Sequence, residues 1–217
     1  IINEVDHQVH YVTDMEAINV SAFDYLILAT GASVRYKILC SVLEKFRVKY
    51  AIFEKVLFQD LAAYDDARKL LKAKEVKTFV NCPLRVYPFF KMIKSQYFTA
   101  NNKTRFNYVG GDWVGMACNA IHYLDLISYL TDETLQDIDT QQLDKGFIDS
   151  KRPGNIEFTG VMKATFDQGS TLSFESIRDN GDDSVIDICH GKYRFIVDEL
   201  SGQYKIYDND NLIEDSR

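Results

Sequence analysis

The chain has 217 residues, a formal net charge of −7 and 46% hydrophobic residues, which is ordinary for a globular protein. These values exclude intrinsic disorder and a collagen-like composition. The acidic balance argues against a nucleic-acid binder, which needs a basic surface. No apolar run approaches the roughly 18–20 residues that a membrane-spanning helix requires, so we expect no membrane association.

Charge and cysteine content add two further expectations. Residues 1–100 carry 14 basic and 11 acidic side chains, whereas residues 101–217 carry 11 and 21, which fits two differently built halves. The cysteines are widely spaced and form no Cys-x-x-Cys pair, so they indicate reduced thiols and a cytoplasmic location. The four cysteines are Cys40, Cys82, Cys118 and Cys189.

The first 84 residues alternate short apolar runs with amphipathic helical patterns. The run at 24–30 predicts a strand covered on both faces, and Ser33 predicts the cap of the following helix. This alternation is typical of βαβ units in an open parallel sheet. The predicted elements are strands at 24–30, 50–53 and 76–80, with helices at 34–46 and 61–73.

Three polar residues lie at the carboxyl ends of the predicted strands, namely Thr30, Lys55 and Asn81. Right-handed crossovers bring the carboxyl ends of parallel strands to one edge of the sheet. Ligands of such sheets bind at that edge. We therefore expect these three residues at one crevice.

After Pro88 the pattern changes to helices near 88–96 and 115–130, with a strand near 104–109 between them. Beyond residue 133 short strands follow one another with turn signals between them, which predicts a large, mostly antiparallel sheet. The fold class is α/β, with a first domain at 1–84 and an α+β domain at 85–217. The later strands are predicted at 135–142, 156–166, 171–177, 184–189, 193–198 and 203–208.

Glu54-Lys55, at the end of a predicted strand, is the first candidate for chemistry. A lysine at the crevice can donate a hydrogen bond to a hydroxyl or carbonyl, or stabilise a developing negative charge. A surface ion pair at a strand end is the alternative.

A helix supplies the second candidate, because Cys118, His122 and Asp125 share one of its faces. Histidine is suited to proton transfer near neutral pH, and Asp125 stands close enough in sequence to orient it. The alternatives are a partly buried histidine bonded within its own helix, and a Cys-His nucleophile pair. No metal site is expected, because further ligands at a recognisable spacing are missing.

Arg85, at the end of the third predicted strand, can bind a phosphate or a carboxylate, with an interdomain salt bridge as the alternative. Lys151-Arg152 is a weaker candidate of the same type, for which a solvated loop is the alternative. The acidic segments 179–183 and 208–211 lack the central glycine and closing glutamate of an EF-hand, and they predict ordinary turns.

Taken together, four motifs resemble the Gfo/Idh/MocA family of oxidoreductases. Asp24-Tyr-Leu-Ile-Leu-Ala-Thr30 resembles its Ala-Thr-Pro strand, and Phe53-Glu54-Lys55 resembles its Glu-Lys-Pro motif. Residues 80–88 resemble the last Rossmann strand with its Arg-x-x-Pro exit, and 119–130 resembles the His-x-x-Asp helix. The resemblance covers most of the chain and is weakest after about residue 150.

The resemblance implies an NAD- or NADP-dependent dehydrogenase acting on a sugar, nucleotide-sugar or cyclitol hydroxyl. It implies that Lys55 and His122 are catalytic, and that a homo-oligomer forms through the C-terminal sheet. The implied cofactor-binding residues are Ala29, Thr30, Glu54, Lys55 and Arg85. The implied substrate-binding residues are Lys55, Asn119, His122 and Asp125.

The chain departs from the family pattern at three points. Val56 replaces the proline of Glu-Lys-Pro, and Cys118 replaces the aspartate four residues before the histidine, where Asn119 is a substitute hydrogen-bonding group. No Gly-x-Gly-x-x-Gly occurs, and the residues before Asp24 resemble only a third Rossmann strand, at 10–14, and a short helix. We therefore expect a fragment of a longer enzyme, with an incomplete Rossmann-type sheet.

A second hypothesis is a non-catalytic subunit of this ancestry that binds a sugar or a protein. The replacements at Cys118 and Val56 favour it. A cysteine-dependent enzyme using Cys118 is a third possibility, which predicts sensitivity to thiol alkylation.

The missing glycine-rich turn leads to a binding prediction. Without that turn and the helix N-terminus behind it, a dinucleotide loses its main pyrophosphate site, so this chain is expected to bind NADH weakly or not at all. Titration of NADH into the chain, and into a form extended upstream by a glycine-rich βαβ unit, measures the difference. Tight binding by the 217-residue chain would contradict the prediction.

Overall fold

The structure is a computed structural model that describes residues 9–99, 102–111, 114–150, 153–178 and 184–216. It has mixed α/β architecture and divides into two compact units between Asn81 and Cys82. The division lies slightly before the predicted boundary at residue 84. Each unit has its own apolar core.

The first unit is built around a three-stranded parallel sheet in the order β1-β2-β3. A 3₁₀ helix, Met15–Ala17, precedes it. Residues 10–14, predicted as a strand, form none, because no neighbouring strand pairs with them in the described residues. The elements are β1 (Ala22–Leu28), α1 (Ala32–Lys45), β2 (Arg47–Phe53), α2 (Leu61–Ala73) and β3 (Lys77–Val80).

The prediction that the first strand is covered on both faces is wrong. Leu28 is buried against the helices, whereas Tyr25 and Ile27 on the opposite face are 65% and 67% exposed. Two successive right-handed crossovers in the same direction put α1 and α2 on one face of the sheet. The described residues leave the other face uncovered.

The second unit is a helical layer on one large sheet. A 3₁₀ helix, Pro83–Val86, leads into α3 (Pro88–Tyr97), and the long helix α4 (Met116–Thr131) follows the first strand of the sheet. The strands of the unit are β4 (Thr104–Gly111), β5 (Leu135–Leu143), β6 (Ile148–Asp149), β7 (Ile156–Glu157), β8 (Gly160–Phe166), β9 (Thr171–Ile177), β10 (Val185–His190), β11 (Tyr193–Asp198), β12 (Tyr204–Asp208) and β13 (Asn211–Asp215).

Eight of these strands form the large sheet, in the order β13-β12-β11-β10-β4-β9-β8-β5. It is mostly antiparallel, with one parallel pair, β4 and β9. The predicted hairpin of β8 and β9 is confirmed. The single strand predicted at 156–166 is interrupted between β7 and β8, and β13 was not predicted.

The core of the second unit lies between the helices and the sheet. Tyr123, Leu126 and Ile127 from α4 are buried against strand residues such as Phe106 and Phe174. This packing determines which side of α4 faces the core and which side stays accessible. No helix in the described residues has the length and apolar character needed to cross a membrane.

Candidate functional site

A buried arginine joins the loops that follow β1 and β2. Arg35 is 2% exposed, and its Nη1 donates hydrogen bonds to the carbonyl oxygens of Glu54, Val56 and Leu57 at 2.6, 2.5 and 2.8 Å. Its Nη2 donates to the carbonyl oxygen of Thr30. Burial lowers the pKa of the Arg35 guanidinium, although the Glu54 carboxylate opposes this. One side chain therefore sets the shape of two candidate binding loops.

Sequence reasoning missed Arg35, although a signal was present. Arg35, Leu39 and Val42 recur at helical spacing, and all are buried on one face of α1. A charged residue on an apolar stripe needs buried partners, and here backbone carbonyls supply them. The predicted capping role of Ser33 is wrong: Gly31 is the N-cap, which places Ser33 inside the first turn.

The ends of the three strands meet at one edge of the first unit, as parallel topology predicts. The Asn81 side-chain amide donates to Glu54 Oε1, and the Asn81 backbone N–H donates to the Phe53 carbonyl at 2.8 Å. Lys55 is half-buried beside them, and the Lys55–Val56 peptide bond is cis.

One residue at this edge has a group that could bind a polar ligand such as the amide of a nicotinamide cofactor. The hydroxyl Oγ1 of Thr30 is buried and has no hydrogen-bond partner within the described residues. A buried hydroxyl without a partner is costly, so a ligand group that pairs with it gains binding energy. Ala29, beside it, is exposed.

In the second unit, helix α4 carries the predicted histidine and is fixed at its start by a buried carboxylate. Glu157, which is 6% exposed, accepts a hydrogen bond from the backbone N–H of Ala117 at 2.8 Å. The carboxylate also complements the positive end of the helix dipole. Gly115 precedes the helix with a φ of +66°, a left-handed conformation that favours glycine.

Beside α4 lies a cavity of about 520 Å³. His122 and Asn119 line it, and the Asn119 side-chain amide is held by a hydrogen bond to the Val114 carbonyl at 2.6 Å. Its lining residues are Pro83, Leu84, Tyr87, Tyr108, Gly111, Val114, Asn119, His122, Tyr123, Ser184, Glu199 and Leu200. The cavity therefore presents an imidazole, an amide and a carboxylate to a ligand.

Arg85 and Asp125, predicted to serve cofactor and substrate, bind each other. Arg85 Nε donates to Asp125 Oδ2 at 2.7 Å, and Nη2 donates to Oδ1, which makes a two-pronged pair. Both belong to the second unit, so the pair is not the interdomain salt bridge considered above. The Asp125 carboxylate is thus engaged by Arg85.

A carboxylate that sequence reasoning missed lies at the cavity. Glu199 accepts hydrogen bonds from the Tyr123 hydroxyl at 2.9 and 2.8 Å and from the Tyr108 hydroxyl at 3.2 Å. Burial raises the pKa of Tyr108 to about 12. The pKa of Tyr123 is raised well above its ordinary value, mainly by burial and to a smaller extent by the negative charge of Glu199. No local motif marks Glu199, because its partners lie far away in the sequence.

Two candidates fall outside the described residues, namely Lys151-Arg152 and the acidic segment 179–183. The other acidic segment, 208–211, forms the predicted turn, which here connects β12 to β13. No group of three or more His, Cys, Asp or Glu side chains suited to a metal ion occurs in the described part of the chain.

Comparison with known proteins gives likeness in structure only. No family model matches the chain, and no curated protein matches it. Among solved structures, a dehydrogenase (MviM) from Clostridium difficile is similar at 18% identity with a TM-score of 0.66. The UDP-N-acetylglucosamine 3-dehydrogenase GnnA from Acidithiobacillus ferrooxidans is similar at 15% identity with a TM-score of 0.70.

A super-repressor mutant of Gal80p from Saccharomyces cerevisiae is also similar, at 16% identity with a TM-score of 0.68. Each match covers 89% of this chain, and the chain spans 61% to 63% of the length of these three structures. Two of these neighbours are named as dehydrogenases, and the fold that they share with this chain is of the Gfo/Idh/MocA type. The chain therefore has the fold of that class, which confirms the resemblance at the level of fold.

The Arg35 contacts lead to a stability prediction. Replacing Arg35 with Ala removes a buried guanidinium and leaves several part-buried carbonyl oxygens without this donor, so the free energy of unfolding is expected to fall by about 3 kcal/mol. Chemical denaturation measures this, with Arg68→Ala as control. Arg68 is exposed, and its ion-pair partner among the described residues is Asp65 on the same helix, so its loss costs less than about 0.5 kcal/mol. Equal losses in both variants would contradict the prediction.

The raised pKa of Tyr108 leads to a prediction about alkaline pH. An unfolded tyrosine ionises near pH 10, whereas folded Tyr108 ionises near pH 12. The stability that Tyr108 contributes is therefore fully present below pH 10, and about 2–3 kcal/mol of it is lost as the pH rises toward 12. Tyr108→Phe removes this contribution, so the decline of the unfolding free energy with pH is expected to be smaller by about that amount, while the decline due to Tyr123 remains. Tyr11→Phe, at a residue 78% exposed, is the control and is expected to follow the wild-type curve.

Proposed function

We propose that the chain is part of an NAD(P)-dependent oxidoreductase acting on a CH–OH group of a sugar, nucleotide-sugar or cyclitol. The observation that carries this proposal is the cavity of about 520 Å³, because His122 and Asn119 line it together. A small-molecule substrate fits its size and polar lining. The oxidoreductase neighbours support the general kind of reaction.

In this proposal His122 is the acid/base. It is half-buried on α4 at the cavity, and a neutral imidazole accepts the hydroxyl proton as the carbinol carbon is oxidised. Asn119 and Asp125 bind the substrate. Asp125 acts together with Arg85, because the carboxylate fixes the guanidinium plane while leaving some of its N–H donors for a ligand.

The first unit is proposed to bind the nicotinamide end of the cofactor through Ala29, Thr30, Glu54 and Lys55. A bound nicotinamide supplies the acceptor for the hydride that leaves the carbinol carbon. The hydroxyl of Thr30, buried without a partner, supports a polar ligand group at this edge. Lys55 is proposed as the second catalytic residue, because its ammonium can donate a hydrogen bond to a hydroxyl and stabilise negative charge that develops on the oxygen.

We further propose that the protein is cytoplasmic and forms a homo-oligomer through the large sheet of the second unit. The sheet has eight strands, and its helices and apolar core lie together on one side. The opposite side is the surface available for a second copy.

A non-catalytic sugar- or protein-binding subunit is the second candidate. Cys118 stands where the family often has an aspartate, and it is half-buried with its thiol donating to the Gly115 carbonyl at 3.4 Å. One structural neighbour is described as a repressor rather than as a dehydrogenase. This candidate predicts ligand binding without turnover.

The test is reduction of NAD⁺ or NADP⁺ with a panel of sugars and cyclitols, on the longest native form of the protein that contains these residues. His122→Ala and Lys55→Ala are each expected to lower kcat by at least about a hundredfold. The matched controls are His10→Ala and Lys91→Ala, both at exposed residues, which are expected to keep full activity. Unchanged turnover in both site variants would rule out the catalytic assignment, and binding without turnover would favour the second candidate.

A further inference from the structure

Glu199 occupies a fixed position at the cavity of the second unit. It begins the turn after β11, and its backbone N–H donates to the Ser184 carbonyl at 3.2 Å. Its carboxylate is held by the hydroxyls of Tyr108 and Tyr123, which are 1% and 3% exposed. The carboxylate is therefore oriented by the core and lines the cavity.

The two tyrosines leave part of the acceptor capacity of this carboxylate for a ligand. An ionised carboxylate has about four acceptor positions, and each phenol has one proton to donate. The Tyr123 proton is shared between the two oxygens, and the Tyr108 proton goes to Oε2. Glu199 can accept further hydrogen bonds from hydroxyl groups in the cavity.

The charge of the cavity lining determines which ligands suit it. Among its lining residues in the described part of the chain, Glu199 is the one carboxylate, and no lysine or arginine occurs. Ser184 and Asn119 add uncharged polar groups. An anionic ligand group placed beside Glu199 would meet its negative charge, and His122 is the one basic side chain among the described lining residues, whereas a hydroxyl group finds a strong acceptor in the Glu199 carboxylate.

We propose that Glu199 determines specificity at its own position in the cavity: it accepts hydrogen bonds from hydroxyls of an uncharged carbohydrate ring and disfavours an anionic group on the part of the ring beside it. Tyr108 and Tyr123 are positioning residues that keep the carboxylate aimed at the ligand. The choice of a carbohydrate rests on the proposed function, whereas the discrimination against an anionic group rests on the charge of Glu199. The residue lies outside the four motifs on which that function was based.

The experiment measures dissociation constants by calorimetric or NMR titration of the 217-residue chain. The probes are D-glucose and myo-inositol, which are uncharged, and D-glucuronate, which differs from glucose only in a carboxylate at C6. Wild type is expected to bind the neutral probes at least about tenfold more tightly than glucuronate, which is the effect of one charged hydrogen bond. In Glu199→Gln this preference is expected to fall by about tenfold.

Two further variants separate charge, position and indirect effects. Glu199→Asp keeps the negative charge on a side chain that is shorter by one methylene, so the carboxylate lies farther from the ligand. This variant is expected to bind glucose more weakly and still to disfavour glucuronate. Glu214→Gln is the matched control, because Glu214 accepts a hydrogen bond from the Tyr204 hydroxyl at 2.7 Å and does not line the cavity. The control is expected to keep the wild-type preference.

The inference is overturned if neither neutral probe binds, if Glu199→Gln keeps the wild-type preference, or if Glu214→Gln loses it equally. These titrations need neither cofactor nor turnover. Neutral probes that bind through Glu199 in a protein without dehydrogenase activity would support this inference and reject the proposed function. If turnover depends on His122 but Glu199→Gln leaves the preference for neutral probes unchanged, the proposed function is supported and this inference is rejected.

Discussion

The packing of Tyr123 into the large sheet is the contact on which the second unit and its cavity depend. The Tyr123 ring lies 4.3 Å from that of Tyr108, 5.1 Å from Phe174 and 6.2 Å from Phe106, between ring centroids. Because successive helical residues are about 100° apart, burial of Tyr123 puts its neighbour His122 at the margin of the buried face. Asn119, one turn earlier, is half-buried at the same margin. The cavity is thus a consequence of how one aromatic residue enters the core.

Each unit has a charged side chain that hydrogen bonds hold in place, Arg35 in the first unit and Glu199 in the second. The two side chains have different kinds of hydrogen-bond partner. Arg35 donates its hydrogen bonds to backbone carbonyl oxygens, so it connects two loops and stabilises their conformation. Glu199 is held by two neutral phenols, which orient a carboxylate without neutralising it. A charge paired with neutral dipoles keeps its field, which is the property a recognition group needs.

The order of elements could be predicted because hydrophobic periodicity is a local property. The helix predicted at 61–73 coincides with α2, and the strand predicted at 171–177 coincides with β9. The sequence-based predictions failed where burial or pairing depends on residues that are distant in the sequence. The run at 24–30 is apolar enough for burial on both faces, yet only the placement of the helices decides which face is covered. The pairing of Asp125 with Arg85, 40 residues away in the sequence, was likewise not predicted, and the predicted role of Asp125 in orienting His122 stays a prediction.

The sequence by itself determined the fold class, the alternation of elements and the helix that carries His122, because these follow from residue spacing within short segments. Its four motifs also pointed to the fold that the structural neighbours share. Only the tertiary structure decided that Arg35 ties two loops, that Arg85 and Asp125 pair, and that Glu199 lines the cavity with His122. These depend on contacts between residues far apart in the chain: helical spacing indicates that Arg35 is buried, but no local pattern identifies the partner that a buried or paired side chain will meet.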